Sequence, residues 1–385
     1  MVGAKSFVEP QRMRLAACSF ILALSVGLLE GCSHSAYSRL VSEDKVADLA
    51  HLKQEAGDHP NHTTKVQTLG LSGHSQNVAI HQIELPGHDR ILVFVHGVFA
   101  DYSAWRFMVG CLAQDYDLWL VDLPGCGESD KPDPDTLGPD AYSPSDLASR
   151  TLQAIHERLM ARGGDARLFF VAHSLGGAVT LRMFAEPQVR RSSQDVLGRI
   201  EGIVLLAPFD VLVHRRDPFF ENLATVSGTQ IAIGDALGIV RERAAAAMLE
   251  AVCDPSTRAL REEVDRRIAV LTNPSTRNAM QAMLRRAVAW RGNRPDWNKN
   301  RAVVAGYREV RPPCLVVWGQ CDEVLPVAMG YKIAAELPHA RVEELPDVMH
   351  SPHIEAPEQL AGMIRGFVHD LETGAMRDEA KWSDK

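Results

Sequence analysis

This chain has no Cys-x-x-Cys pair and no His-Glu-x-x-His run, so two common metal signatures are absent. Its histidines at 51, 59 and 62 are too scattered to suggest a metal site. Basic charge is in short supply: 41 Lys and Arg face 49 Asp and Glu, a net charge of −8. That balance argues against a dedicated nucleic-acid role. The glycines at 125 and 127 precede a proline-rich loop rather than a helix, so they do not open a dinucleotide site. The apolar run at residues 15–29 falls short of the roughly 20 residues that a membrane-spanning helix needs. What remains is a globular composition, 46% hydrophobic and 23% charged over 385 residues. That length alone would allow two domains.

Residues 168–177 read Leu-Phe-Phe-Val-Ala-His-Ser-Leu-Gly-Gly. Residues 168–171 suit a buried parallel strand, and residues 177–184 suit the helix that follows. Between them Ser174 occupies a sharp strand-to-helix turn, which strains its backbone and presents its hydroxyl. Such a turn closes only if the residues two before and two after the serine are small; here they are Ala172 and Gly176. The serine also meets the positive end of a helix, which favours a developing oxyanion. Without further support, the same letters describe a helix start with no chemistry.

The pattern resembles the nucleophile elbow of the α/β-hydrolases, with Ala172 where the common form has glycine. Three more segments match that family in order. Residues 90–95 read as a strand followed by His96-Gly97-Val98-Phe99 and Trp105. Residues 118–122 lead into Asp122-Leu-Pro-Gly125-Cys-Gly127-Glu-Ser129, a structural turn in the family. Residues 314–319 lead to Asp322 and Pro326, and residues 342–353 carry His350 and His353. The resemblance implies an α/β-hydrolase fold: a mostly parallel sheet flanked by helices, with an inserted helical cap. It implies Ser174 as nucleophile, His350 as base and Asp322 as the acid that orients it. The backbone amides of Val98 and Leu175 are implied as the oxyanion hole. Met349 stands where the family usually has glycine. Asp347 and Glu323 are alternative acids and His353 an alternative base, but position favours Asp322 and His350. His173 reads as a packing or pocket residue, and His96 as a ring bonded to backbone near the oxyanion loop.

A serine hydroxyl is a poor nucleophile at neutral pH, so a histidine must take its proton and a carboxylate must hold that imidazole. The set implies acyl transfer to water, with a small-molecule ester or acyl substrate and no cofactor or metal. The leading expectation is hydrolysis of carboxylic esters. Hydrolysis of a C–C bond, thioester or lactone, and perhydrolysis, use the same triad. A surface lipoprotein that keeps the fold as a binding module is the non-enzymatic alternative.

The ends of the chain differ from its middle. Lys5, Arg12 and Arg14 precede the apolar run, which closes on Leu29-Glu-Gly-Cys32-Ser33. This resembles a bacterial lipoprotein signal, in which Cys32 becomes the acylated N-terminus of an exported, membrane-anchored protein. Loss of Cys18 and acylation of Cys32 would leave Cys111, Cys126, Cys253, Cys314 and Cys321, an odd set with no disulfide framework. A Cys126–Cys321 pair stays open. The expected boundaries are a signal peptide at 1–31, a polar flexible tether at 32–64, core at 65–208, cap at 209–311, core at 312–373 and a polar tail at 374–385. The first strands are expected at 66–71 and 78–85. The cap reads as helices, with starts at Asp254-Pro and Asn273-Pro and apolar stripes Leu260, Val264, Ile268, Leu271 and Met280, Leu284, Val288. It holds 16 Arg and 1 Lys against 12 Asp and Glu, a net positive charge within a negative chain.

Overall fold

A computed structural model describes Tyr37 and residues 61–213, 217–249 and 260–375. The expected signal peptide, Cys32, most of the tether, Cys253, the Asp254 helix start and the tail from 376 lie outside the described residues.

Eight strands form one sheet in the order β1-β2-β4-β3-β5-β6-β9-β10. They are β1 (Asn61–Leu69), β2 (Ser75–Ile83), β3 (Arg90–Val95), β4 (Asp117–Asp122), β5 (Arg167–His173), β6 (Ile200–Leu206), β9 (Cys314–Gly319) and β10 (Ala340–Leu345). β1 runs antiparallel to β2 and β2 antiparallel to β4; every other pairing is parallel. This is the α/β-hydrolase fold expected from the motifs. β1 begins at Asn61, five residues before the expected strand at 66, so residues 61–64 belong to the sheet and not to the tether. It is an edge strand, and its outer half, Asn61-His-Thr-Thr-Lys65, is polar.

The central strands are apolar throughout because helices cover both faces. Alternation sends Ile91, Val93 and Val95 of β3 into one layer and Leu92 and Phe94 into the other. The first layer packs on α2 (Pro144–Arg162) and α3 (Leu175–Ala185), the second on α1 (Arg106–Leu112) and the last helix, Pro357–Thr373. α2 starts where the Asp146 amide donates to the Ser143 hydroxyl, with Pro144 in the first turn, and ends at Gly163 with φ 74°. Cys111, Cys126, Cys314 and Cys321 are all free thiols, so no disulfide joins Cys126 to Cys321.

Between β6 and β9 the chain leaves the sheet. It forms α4 (Pro218–Thr225), α5 (Gly228–Ala236), α6 (Ile239–Ala247), α7 (Leu260–Thr272), α8 (Pro274–Arg286) and α9 (Trp297–Gly306). The expected stripe residues Val264, Ile268, Leu271 and Met280 meet Leu223, Ile231, Val240 and Met248 in a small core of their own. Asn273 caps α8 by accepting from the Thr276 amide. A two-stranded hairpin, β7 (Trp290–Arg291) with β8 (Arg294–Pro295), interrupts the helices. Gly292, with φ 60°, makes that turn possible.

The two stalks of the insertion are tied together. Asp210 leaves β6, Tyr307 precedes β9, and the Tyr307 hydroxyl donates to the Asp210 carboxylate. Arg182 of α3 donates to the same hydroxyl at 3.2 Å. All three are buried. Burial pushes the Asp210 carboxyl up, while Arg182 and the Tyr307 bond oppose that shift. Tyr307→Phe removes one donor from a buried carboxylate. The urea midpoint should fall by the equivalent of about 1–3 kcal/mol with the slope unchanged; an unaltered midpoint would show that the tie carries no load.

Candidate active site

Ser174 follows the last residue of β5 and caps α3, with φ 48° and ψ −116°. A non-glycine residue there costs about 1–3 kcal/mol. Its surroundings hold it in place. The Ser174 amide donates to Leu206 O at 3.0 Å, and the Gly177 and Phe209 amides both donate to Ser174 O at 2.9 Å. Gly176 passes so close to β3 that a Cβ would lie 2.2 Å from Val95 O and 2.7 Å from His96 O. A side chain there would force the elbow away from the neighbouring strand, so the small residue is a packing requirement.

His350 lies on the loop after β10, and Asp322 on the loop after β9. His350 Nδ1 donates to Asp322 Oδ2 at 2.8 Å. The other carboxylate oxygen accepts from the Val324 and Leu325 amides at 2.9 Å each. With Nδ1 carrying the proton, Nε2 keeps its lone pair. Asp347 and Glu323 are exposed, and Asp347 occupies a turn with φ 58°; the carboxylate brought to His350 is that of Asp322. Two contacts hold the histidine loop. The Met349 and Ser351 amides donate to Glu355 at 3.1 and 2.9 Å. A Cβ on Gly319 would sit 2.0 Å from Met349 O, so the end of β9 packs directly on that loop. His173, the neighbour of Ser174, contacts the His350 carbonyl through Nε2 at 2.9 Å. The elbow and the histidine loop are thereby joined. Ser174 and His350 are both buried, 8% and 6% exposed.

Leu175 is the first residue of α3, so its amide lacks an intrahelical acceptor. Val98 follows Gly97, where a Cβ would lie 3.1 Å from the Ser174 Cβ. Both implied amide donors therefore belong to backbone beside the serine. His96 is buried under this loop: its Nε2 accepts from the Leu123 amide at 3.1 Å, so Nδ1 carries the proton and donates to Gly97 O at 2.8 Å. Asp122 accepts from the Tyr102 and Glu128 amides at 2.8 and 2.7 Å and contacts His81 Nε2 at 2.9 Å, a structural part.

One group of site residues was not foreseen. Arg106 of α1 and Glu263 of α7 form a buried pair at 2.6 Å, joining the core to the insertion. Arg266 and Arg267 reach the same carboxylate at 2.9 and 2.8 Å. Burial pushes the Glu263 carboxyl up, but Arg106, Arg267 and Arg266 outweigh that and hold it at about 2. Three guanidinium groups on one carboxylate leave the cluster cationic, with Arg106 and Glu263 buried and Arg266 and Arg267 partly exposed. Next to it, His353 packs its ring against Trp105 and His173, at 4.7 and 4.5 Å between centroids. No local motif marks these contacts, since Arg106 and Glu263 are 157 residues apart.

His173 and His353 are buried and neutral. Burial drives His353 down to about 3, helped by Arg267, His350 and Arg106 against an opposing pull from Glu263. Burial, then the charges of His353 and His350, hold His173 well below the usual range. Both histidines titrate near 6.5 when unfolded. From there down to about pH 3 the unfolded state binds more protons, so stability falls as the pH drops through that window. The slope is up to about 1.4 kcal/mol per pH unit for each histidine. Urea midpoints measured from pH 7 to pH 4 should fall steeply in the parent and less so in His353→Phe. Equal slopes would mean that His353 is not held neutral.

Known proteins resemble this chain in sequence and fold. The chain is 26% identical over 282 residues to the dihydrolipoyllysine-residue acetyltransferase component of the acetoin cleaving system of Pseudomonas putida, across 72% of this chain and 63% of that protein. It thus spans less than two thirds of that relative's length. It is 25% identical over 308 residues to 2-hydroxy-6-oxononadienedioate/2-hydroxy-6-oxononatrienedioate hydrolase of Paraburkholderia phymatum, across 75% of this chain and 90% of that one. The crystal structure of the esterase RhEst1 from Rhodococcus sp. ECU1013 matches with a TM-score of 0.57 at 20% identity, covering 80% of this chain and 99% of that one; the likeness is one of fold. Residues 92–363 match the alpha/beta hydrolase family throughout, and the chain belongs to that family.

Proposed function

We propose that this chain is a serine hydrolase that cleaves carboxylic esters through an acyl-enzyme. The observation that carries the reading is the 2.8 Å bond from His350 Nδ1 to Asp322 beside a serine with φ 48°. Ser174 Oγ attacks the ester carbonyl carbon while His350 Nε2 takes its proton. The Val98 and Leu175 amides donate to the new oxyanion, each worth roughly 3 kcal/mol in such sites. Collapse breaks the C–O bond, and the leaving alcohol takes the proton from His350. Water then attacks the acyl-enzyme by the same route and frees the acid and Ser174. Asp322 holds the imidazole in its working tautomer and stabilises the imidazolium.

A second reading is C–C bond hydrolysis by the same residues. The name of the Paraburkholderia relative and the cationic Arg106, Arg266 and Arg267 cluster favour it, because both point to an acidic substrate. A panel of neutral esters, acidic esters and a 2-hydroxy-6-oxo dienoate separates the two. No turnover on any member would favour a binding role.

Ser174→Ala should lose fluorophosphonate labelling and about a million-fold in kcat while still folding. His350→Ala should be nearly as severe, and Asp322→Asn should cost about ten-thousand-fold. Undiminished turnover in folded Ser174→Ala, or a severe Asp347→Asn beside a mild Asp322→Asn, would overturn the assignments.

We also propose that the chain is exported and acylated at Cys32, which the Leu29-Glu-Gly-Cys32 sequence after a short apolar run supports. A single acyl chain binds membranes only marginally, so stable anchoring calls for several. Cys32→Ser should leave uncleaved precursor or release the protein from the membrane fraction, with ester turnover intact; intact mass of the parent showing a mature N-terminus other than a lipid-modified Cys32 would refute the anchor.

A further inference from the structure

Tyr37 lies far from the sheet in sequence, yet it is seated on the insertion. Its hydroxyl donates to the Asp265 carboxylate at 3.0 and 2.9 Å, and its amide donates to Glu242 at 3.4 Å. The guanidinium groups of Arg241 and Arg261 sit over its ring, 4.9 and 5.5 Å from the centroid. The ring also packs on the apolar core of the insertion. The seat is therefore built from α6 and α7.

α7 has two roles at once. Glu263 and Asp265 are two residues apart, which on a helix turns their side chains about 200° from each other. Glu263 faces inward to Arg106 and toward His353, whereas Asp265 faces outward to Tyr37. One helix thus lies between the active site and the chain that leads to Cys32. Four residues lie between Cys32 and Tyr37, a span of five Cα–Cα steps. Fully extended they reach about 18 Å, so lipid on Cys32 must lie near this outer face. Beside the seat, Ile233 and Leu237 are 51% and 66% exposed. They are one turn apart on one face of α5, and Leu237 stands at the turn into α6, whose first turn supplies Arg241 and Glu242. The net positive charge of the insertion suits an anionic lipid surface.

We propose that Tyr37 fixes the insertion against the bilayer that holds the Cys32 lipid, with Ile233 and Leu237 in contact with the membrane, so that the site draws its acyl substrates from the lipid phase. This rests on the anchor proposed above. The tether then starts after Tyr37 and not at Cys32. The far end of the molecule offers a control: Met160, 68% exposed, lies near the end of α2, just before β5 starts its run toward Ser174.

The test uses the full chain, purified from membranes and reconstituted in phosphatidylethanolamine–phosphatidylglycerol vesicles containing a brominated lipid. Cys111, Cys253 and Cys321 are changed to Ser, and a fluorophore is placed at Leu237→Cys or Met160→Cys. Intact mass of the same sample reports the state of Cys32. With Cys32 acylated, the label at 237 should be quenched several-fold more than the label at 160. Tyr37→Ala should reduce that excess toward the level at 160. An unmodified Cys32 overturns the anchor and the orientation together. An acylated Cys32 with equal quenching at both sites overturns the orientation alone. Protection of the label at 237 without quenching means that a second protein copy covers it, which also overturns the proposal. Full quenching at 237 in Tyr37→Ala would remove Tyr37 from the mechanism.

Discussion

The backbone of Ser174 is the constraint on which the site depends. Its φ of 48° is unfavourable for any side chain larger than hydrogen. The chain holds it there by making the neighbouring backbone immovable. Ser174 is bonded on both sides, through its amide to Leu206 and through its carbonyl to the Gly177 and Phe209 amides. Gly176 presses on the carbonyls of Val95 and His96. The close approach brings the β3 loop to the serine, and with it Gly97 and the amide that follows. The strain at Ser174 and the approach of the β3 loop to it have one cause: β3 and β5 are adjacent parallel strands whose ends cannot separate.

The histidine and its acid are held by different means. They sit on loops after β9 and β10, where no ladder fixes them. Polar contacts replace the ladder: Glu355 accepts from the amides on either side of His350, His173 contacts the His350 carbonyl, and Asp322 accepts from two amides of its own turn. Each such bond adds only about 1 kcal/mol net. Their value is geometric, since together they fix the His350 imidazole against Asp322.

Part of this arrangement was legible in the chain because a strand-to-helix elbow demands small residues at particular positions. Ser174 follows an apolar strand that stops abruptly with Gly176 close behind, Asp322 lies on the loop after the apolar β9, and His350 lies on the loop after β10. The stripes of Val264, Ile268, Leu271 and Met280 were legible for a similar reason: burial imposes helical spacing. The start of β1 was not. Asn61-His-Thr-Thr-Lys65 is polar because an edge strand is paired on one side only. The β7–β8 hairpin was missed because two-residue strands have no room to alternate. Glu263, Glu355 and Tyr37 were missed for a deeper reason. A charge finds its partner only after the fold forms, and nothing near Glu263 in sequence announces Arg106.

The insertion meets the core through charge as much as through apolar area. Asp210 and Tyr307 close its stalks, and Glu263 with Arg106 holds it above the site. Buried pairs of this kind are poor sources of net stability, because desolvation consumes most of the Coulomb gain. They do make misplacement expensive. A shifted α7 would leave Glu263 or Arg106 buried without its partner, a loss of about 3–5 kcal/mol. An apolar contact of similar area could slide at much smaller cost. The same pair therefore sets where α7 lies over His353 and His173. The positive charges of Arg106 and Arg267 lie close to His353, which burial keeps neutral. The insertion side of α7 therefore carries positive charge and the core side a neutral imidazole, and the position of one carboxylate sets that asymmetry.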